Sequence, residues 1–316
     1  MPRSNNKLYR ITETYQQQGP GGLARWAGRW LYWRGGLYHG TIWLETQRRE
    51  RRYRKKIKRY GIQDPVVLFQ MGKVGSSTMS ASLTPLKLNV PVFTFHTLTD
   101  FDAHEEFIKQ HSVDPTWPLQ ILAQSRAHSK LLFNGRWKKF NVISLVRSPV
   151  NRTVSAFFEH WSTSNPEFQA RNAAGTLEVE TLTREFATQY FHDTAEQWFD
   201  SQMLPVFGID VFAEPFDPAR GYQIYHGENA QLLVLRLEDL RRVATPAMQE
   251  FLNIPNFSLR DSNVSESKGY GEIYRRFVET ARLPQDLVAK IQSTRYARNF
   301  YSAAELDQEA RFWTRA

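Results

Sequence analysis

The chain has 316 residues, a formal charge of +9 and no cysteine, which excludes disulfides, thiolate metal sites and cysteine nucleophiles. Its composition is that of a globular protein, and no apolar run approaches the ~20 residues needed to cross a bilayer. The charge is uneven: residues 1–60 hold 15 Lys and Arg against 3 Glu, while 61–316 hold 26 against 29 Asp and Glu, so overall basicity is no argument for nucleic acid.

The sequence therefore divides into a basic N-terminal appendage, 1–60, and an α/β body, 61–316. The N-terminus lacks the apolar core of a signal peptide, and absence of cysteine suits a reducing compartment, so a cytoplasmic protein is expected. In the appendage, Leu23, Trp26, Ala27, Trp30 and Trp33 share one face of a helix, with Arg25 and Arg29 away from it. Tryptophan and arginine on a short amphipathic helix suit a membrane interface. The basic run 48–59 (RRERRYRKKIKR) adds attraction to anionic lipid of about 1 kcal/mol per basic residue. Residues 23–59 thus point to an anionic membrane surface, the inner face of a membrane. Other readings stay open: tryptophans packed on the body, a solvated helix face, or, least favoured, contact with nucleic acid.

The body opens on VVLFQMGKVGSSTMSASL, residues 66–83. The apolar run Val66, Val67, Leu68, Phe69 predicts a buried strand. It breaks at Gly72, Lys73, Val74 and Gly75, and Ser76, Ser77 and Thr78 open a helix. A strand, a glycine-bearing turn and a helix start build an anion site. The first N–H groups of the helix lack partners, glycine lets the backbone wrap an oxygen, and Lys73 adds positive charge. The spacing is not Walker A, which places lysine after the second glycine, nor the dinucleotide pattern of glycines.

Residues 89–95 (NVPVFTF) predict a second strand ending at His96. Residues 101–134 read as helical, and 141–146 (NVISLV) as a third strand stopping at Arg147. Pro149 then suits a first helical turn, with Ser148 as cap. Residues 163–190 are polar and read as an insertion or lid with one helix, and 194–204 as a helix burying Trp198 and Phe199. Residues 221–226 and 231–237 flank Gly227-Glu228-Asn229 as a hairpin-like pair. A loop at 255–262 precedes a helix ending near Leu283. Alternating strands and helices predict a parallel sheet covered on both faces.

The second motif is LVRSPVNRTVSAFF, residues 145–158. Arg147 ends a strand and Ser155 follows eight residues later, two helical turns on. A guanidinium fork and a hydroxyl can grip one phosphate together. Arg152, between them, adds charge or is solvated.

The pair QMGKVGSST and VISLVRSPVNRTVSAFF resembles the two cofactor signatures of sulfotransferases that use 3′-phosphoadenosine 5′-phosphosulfate, PAPS. LLVLRLEDL is similar to a late strand and acidic turn of those enzymes, and SESKGYGE to the lysine–glycine loop that closes over the cofactor. TRYARNFYSAAEL and QWFDSQMLPVFGIDVF look like a bacterial branch of capsular polysaccharide synthesis proteins. The resemblance covers about residues 64–305. Residues 1–60 have no counterpart in it, and 163–190 stay unassigned. It implies a P-loop-like, sulfotransferase-like parallel sheet flanked by helices.

Carried over, the resemblance gives Gly72, Lys73, Gly75, Ser76, Ser77 and Thr78 the 5′-phosphosulfate. Arg147 and Ser155 take the 3′-phosphate, and Lys268 and Gly269 close over the cofactor. The residues agree in offering two anion sites, and ATP would leave Arg147 and Ser155 without a role. Catalysis then falls to Lys73, which stabilises the leaving phosphate oxygen, and to His96 as base; Glu159, His160, Glu238 and Asp239 are further base candidates. No metal-ligand spacing is visible, so PAPS is expected as co-substrate without a metal. The expected activity is sulfuryl transfer to a hydroxyl of a glycan or glycolipid, in capsular or extracellular polysaccharide synthesis. Rivals are an ATP-using kinase of similar fold and a non-catalytic scaffold whose basic arm binds lipid or nucleic acid.

Overall fold

The computed structural model describes residues 20, 37–58, 64–86, 88–111, 116–190, 195–260 and 268–314. The helix expected around residues 23–33 lies outside them. The chain forms a five-stranded sheet in the order β2-β1-β3-β5-β4, with helices against it. The strands are β1 (Val66–Phe69), β2 (Val92–Phe95), β3 (Phe140–Val146), β4 (Tyr222–His226) and β5 (Ala230–Arg236). β1, β2, β3 and β5 run parallel, and β4 returns antiparallel along β5 as the expected hairpin. Every residue of β1 is buried, as a parallel strand covered on both faces requires, and β3 and β5 are nearly so.

Helix α1 (Leu37–Ile57) precedes the sheet. Its Tyr53 lies 5.2 Å from Phe93 and stacks on His128 at 4.2 Å, and its hydroxyl bonds the Val92 carbonyl. Ile57 joins the main core. The described part of the appendage thus packs on the body at its C-terminal end, while Arg48, Arg51, Arg52, Arg54 and Lys55 stay exposed. Among the described residues no helix is long and apolar enough to cross a membrane.

After β1 comes α2 (Ser76–Leu83), after β2 come α3 (Phe101–His111) and α4 (Thr116–Leu132), and after β3 comes α5 (Pro149–Ser164). The helical stretch expected at 101–134, with Trp117-Pro118 as an entry, is two helices, and the second begins at Thr116. On α5, Val150, Val154, Phe157, Phe158 and Trp161 form one buried stripe at helical spacing. That stripe nucleates a second core with Phe277, Val288 and Trp313.

Residues 163–190 differ from the expected single-helix lid. They form α6 (Pro166–Ala173) and α7 (Val179–Gln189). Phe168, Leu182 and Phe186 bury against the α5 stripe, three apolar anchors spaced too widely to stand out among polar neighbours. Then follow α8 (Ala195–Trp198), a π-helical turn (Phe199–Met203) and α9 (Leu204–Phe207). Phe199 is buried as expected; Trp198 is only half-buried. The chain closes with α10 (Leu240–Leu252), α11 (Gly271–Thr280), α12 (Gln285–Gln292), α13 (Arg295–Phe300) and α14 (Ala303–Thr314).

Candidate functional site

From β1 the chain steps to β2 on one side, then crosses to β3 on the other. The carboxyl ends of β1 and β3 therefore flank a topological switch point, where open α/β sheets bind ligands. Three loops converge on that edge.

The loop after β1 carries Gly72, Lys73 and Gly75. Lys73 adopts a left-handed backbone at φ 72°, rare for a side chain other than glycine and a form of strain found at functional sites. Gly75 sits at φ 94° and caps α2. A Cβ there would lie 2.6 Å from Cδ1 of Leu237, so close packing as well as dihedral demands glycine. Gly72 has neither constraint; a Cβ there would meet nothing within 4 Å. Ser76, Ser77 and Thr78 form the first turn of α2, where N–H groups have no intrahelical acceptor.

The loop after β3 meets the first directly. Arg147 Nη1 donates to the Lys73 carbonyl at 3.3 Å, joining residues 74 positions apart. The Arg147 backbone is clamped by the buried Tyr296, whose hydroxyl accepts from its N–H at 2.9 Å and donates to its carbonyl at 2.7 Å. Burial pushes the Tyr296 pKa up, so the phenol stays protonated and able to donate. Ser148 N–H donates to Glu238 Oε1 at 2.7 Å, and Glu238 Oε2 accepts from Tyr301 at 3.0 Å. Ser148 starts α5, but its hydroxyl makes no cap bond; it accepts instead from Asn151 Nδ2 at 2.7 Å. Ser155 is buried on α5, one helical turn before Glu159.

The loop after β2 holds His96. Its Nδ1 lies 2.9 Å from the Gln70 carbonyl. A carbonyl only accepts, so Nδ1 carries the proton and neutral imidazole leaves Nε2 bare. Protein crowding around the ring lowers its pKa, and the Gln70 bond opposes this. The residue remains exposed, so water limits that lowering. The His96 carbonyl accepts from Trp198 Nε1 at 2.8 Å. Gln202, in the π-helical turn, accepts from the N–H of Leu98 at 2.8 Å. The Gln70 side chain is fully buried, and both its amide atoms lack a partner among the described residues.

Glu159 ties the site together. Its Oε2 accepts from Lys73 Nζ at 3.4 Å, from Tyr270 at 2.7 Å and from Lys268 Nζ. Burial would raise its pKa, but bonds from Lys268 and Tyr270 and the charge of Lys73 bring it down to about 2. Burial lowers the pKa of Lys73; Glu159 raises it again and Lys268 lowers it further. Gly269 is exposed, and its carbonyl accepts from Asn172 of α6 at 3.1 Å.

Lys73, Arg147, Lys268 and Glu159 are thus joined through bonds at one sheet edge, and His96 sits on the neighbouring loop. His160 packs beside Trp161 and Tyr190. Asp239 accepts from Arg236 at 2.6 Å and Arg242 at 2.8 Å, so it and Glu238 are engaged in holding the frame. Sequence reasoning missed Tyr270, Tyr296, Tyr301 and Gln202. The signal for Tyr270 was its place beside Lys268-Gly269. The others carry none, since their partners lie 63 to 149 residues away.

Comparison with known proteins gives one match. A family model described as "putative capsular polysaccharide synthesis protein" covers residues 177–302. This span holds β4, β5, Lys268, Gly269, Tyr270 and Tyr296, but neither the β1 loop nor the Arg147 loop. No curated protein and no solved structure matches the chain.

Proposed function

We propose that the protein transfers a sulfuryl group from PAPS to a hydroxyl of a glycan or glycolipid, in capsular or extracellular polysaccharide synthesis. The observation that carries this reading is the bond between Arg147 and Lys73, which places two cationic loops on one switch point. A nucleoside with anionic groups at both ends uses both loops; a triphosphate uses one. The family description supports the polymer context.

PAPS supplies the sulfuryl group when bound. In this reading Lys73, with the first N–H groups of α2 and the hydroxyls of Ser76, Ser77 and Thr78, holds the 5′ end and stabilises charge on the departing phosphate oxygen. Arg147 and Ser155 hold the 3′-phosphate, and Lys268 and Gly269 close the rim. His96 takes the proton of the acceptor hydroxyl on Nε2, while its Nδ1–H bond to Gln70 fixes the tautomer. Helix α1 would face an anionic membrane, since Trp43 and Leu44 are exposed beside the exposed Arg48, Arg51, Arg52 and Lys55. Binding to anionic vesicles that falls with added salt is the expected sign.

The test is transfer of radiolabelled sulfate from PAPS to lipid-linked and polymer fractions. Label in a glycan fraction, cut about 100-fold or more by His96→Ala or Lys73→Ala, is expected. Label in no fraction, or transfer indifferent to both substitutions, would overturn the reading.

A further inference from the structure

A carboxylate is a strange neighbour for a site built to hold anions. Glu159 nevertheless stands between Lys73 of the 5′ end and Lys268 of the rim, bonded to both, with Tyr270 donating to the same oxygen. Its side chain is 39% exposed, against 18% for Lys73 and 25% for Lys268. Of the three charged groups it presents the most open surface. Two ammonium groups and one carboxylate leave the cluster with a single net positive charge.

We propose that Glu159 is a charge filter that fits the Lys73–Lys268 subsite to a singly charged terminal sulfuryl group and disfavours a doubly charged terminal phosphoryl group. The inference rests on the sulfonucleotide reading and deepens it. The two groups are tetrahedral and nearly equal in size, so pocket shape separates them poorly. Charge separates them well: a sulfate ester ionises once, whereas a phosphate monoester loses a second proton near pH 6. Compared with a neutral side chain at position 159, the carboxylate costs an extra unit charge a few ångströms away about tenfold in affinity or more, offsetting the pull of the second lysine. Tyr270 keeps the filter set, because burial and Glu159 raise its pKa and it remains a donor. Glu159 itself, with its pKa near 2, stays ionised throughout the working range.

The competing account makes Glu159 only a brace that orients the lysines. It predicts that Glu159→Gln weakens every nucleotide equally. The two accounts separate in calorimetric titrations of wild type and Glu159→Gln at pH 7.5. The ligands are PAPS and 3′-phosphoadenosine 5′-diphosphate, which differ only in the terminal sulfur or phosphorus group. Wild type should prefer PAPS about tenfold or more, and Glu159→Gln should abolish that preference by tightening the diphosphate. In wild type the preference should also shrink at pH 5.5, where the terminal phosphate gains a proton while Glu159, with its pKa near 2, stays ionised. His96, whose pKa crowding around the ring lowers, would act on both ligands alike, so the ratio of the two ligands is what is read. The pH arm needs no variant and stands even if Glu159→Gln fails to fold. Equal affinities in wild type, or equal weakening of both ligands by Glu159→Gln, would overturn the filter and leave the sulfonucleotide reading intact. Failure of wild type to bind either nucleotide would overturn both.

Discussion

The loop after β3 is fixed largely from behind: the buried Tyr296 grips both backbone groups of Arg147, and the exposed Glu238, held by the buried Tyr301, anchors Ser148. The loop after β1 is held by charges at its rim, where Lys73 bonds Glu159 and its carbonyl receives Arg147. Its backbone is left-handed at Lys73 and Gly75, and strained at the first of them. Both loops leave one sheet edge and touch there, yet one is set in place by the core and the other by groups that a ligand can re-pair. The difference suits a ligand with an inert anchoring end and a reacting end. The anchor gains from rigid geometry, and the reacting end needs cations able to follow developing charge.

This comparison predicts that damage to the β3 loop shows first as lost stability, and damage to the β1 loop as lost binding. The largest stability effect should come from Tyr296→Phe. It strands the N–H and carbonyl of Arg147 in a buried setting, at about 2–4 kcal/mol in urea unfolding. A loss below about 0.5 kcal/mol would mean that the β3 loop is no better anchored than its neighbour. Gly75→Ala comes next, at about 1–3 kcal/mol, since the left-handed backbone strains any side chain even if Leu237 moves aside. Gly72→Ala, three residues earlier, should stay within about 0.5 kcal/mol, because its Cβ meets nothing. Equal costs at the two glycines would show that the turn is not organised around Gly75.

The smallest effect is on acid stability. Glu159 has a pKa of about 2 in the folded protein against 4.5 unperturbed, so its contribution is present above pH 4.5 and fades as pH falls toward 2. Solvent screening of this half-exposed cluster keeps that contribution modest. Glu159→Gln should therefore lower stability modestly at neutral pH and flatten the acid limb between about pH 5 and 2, so that variant and wild type converge at low pH. An unaltered acid limb would show that the lysine cluster does not hold together in solution.

The strands and the loops after β1 and β3 were legible because each is a local signal. Val66 to Phe69 is an unbroken apolar run ended by glycine, and Val146 runs into Arg147 and a helix-starting Pro149. The β4–β5 hairpin was legible from its turn residues. What closed over the site was not. Glu159 could be marked only as one base candidate among several, because Lys268 and Tyr270 lie 109 and 111 residues downstream. The clamp of Tyr296 on Arg147 spans 149 residues. The two helices at 163–190 were hidden because Phe168, Leu182 and Phe186 bury against α5 and α11, partners that their own spacing does not reveal.

The central claim is that the two loops serve opposite ends of one ligand. Calorimetry with adenosine 3′,5′-bisphosphate and 5′-AMP, on wild type and Arg147→Ala, tests it as a cycle in which the 3′-phosphate and the guanidinium are removed separately and together. The account predicts that wild type binds the bisphosphate about tenfold or more tightly than 5′-AMP, that Arg147→Ala removes this advantage, and that 5′-AMP is bound equally by both proteins. Equal affinity of wild type for the two nucleotides, or an Arg147→Ala loss of the same size for each, would contradict it.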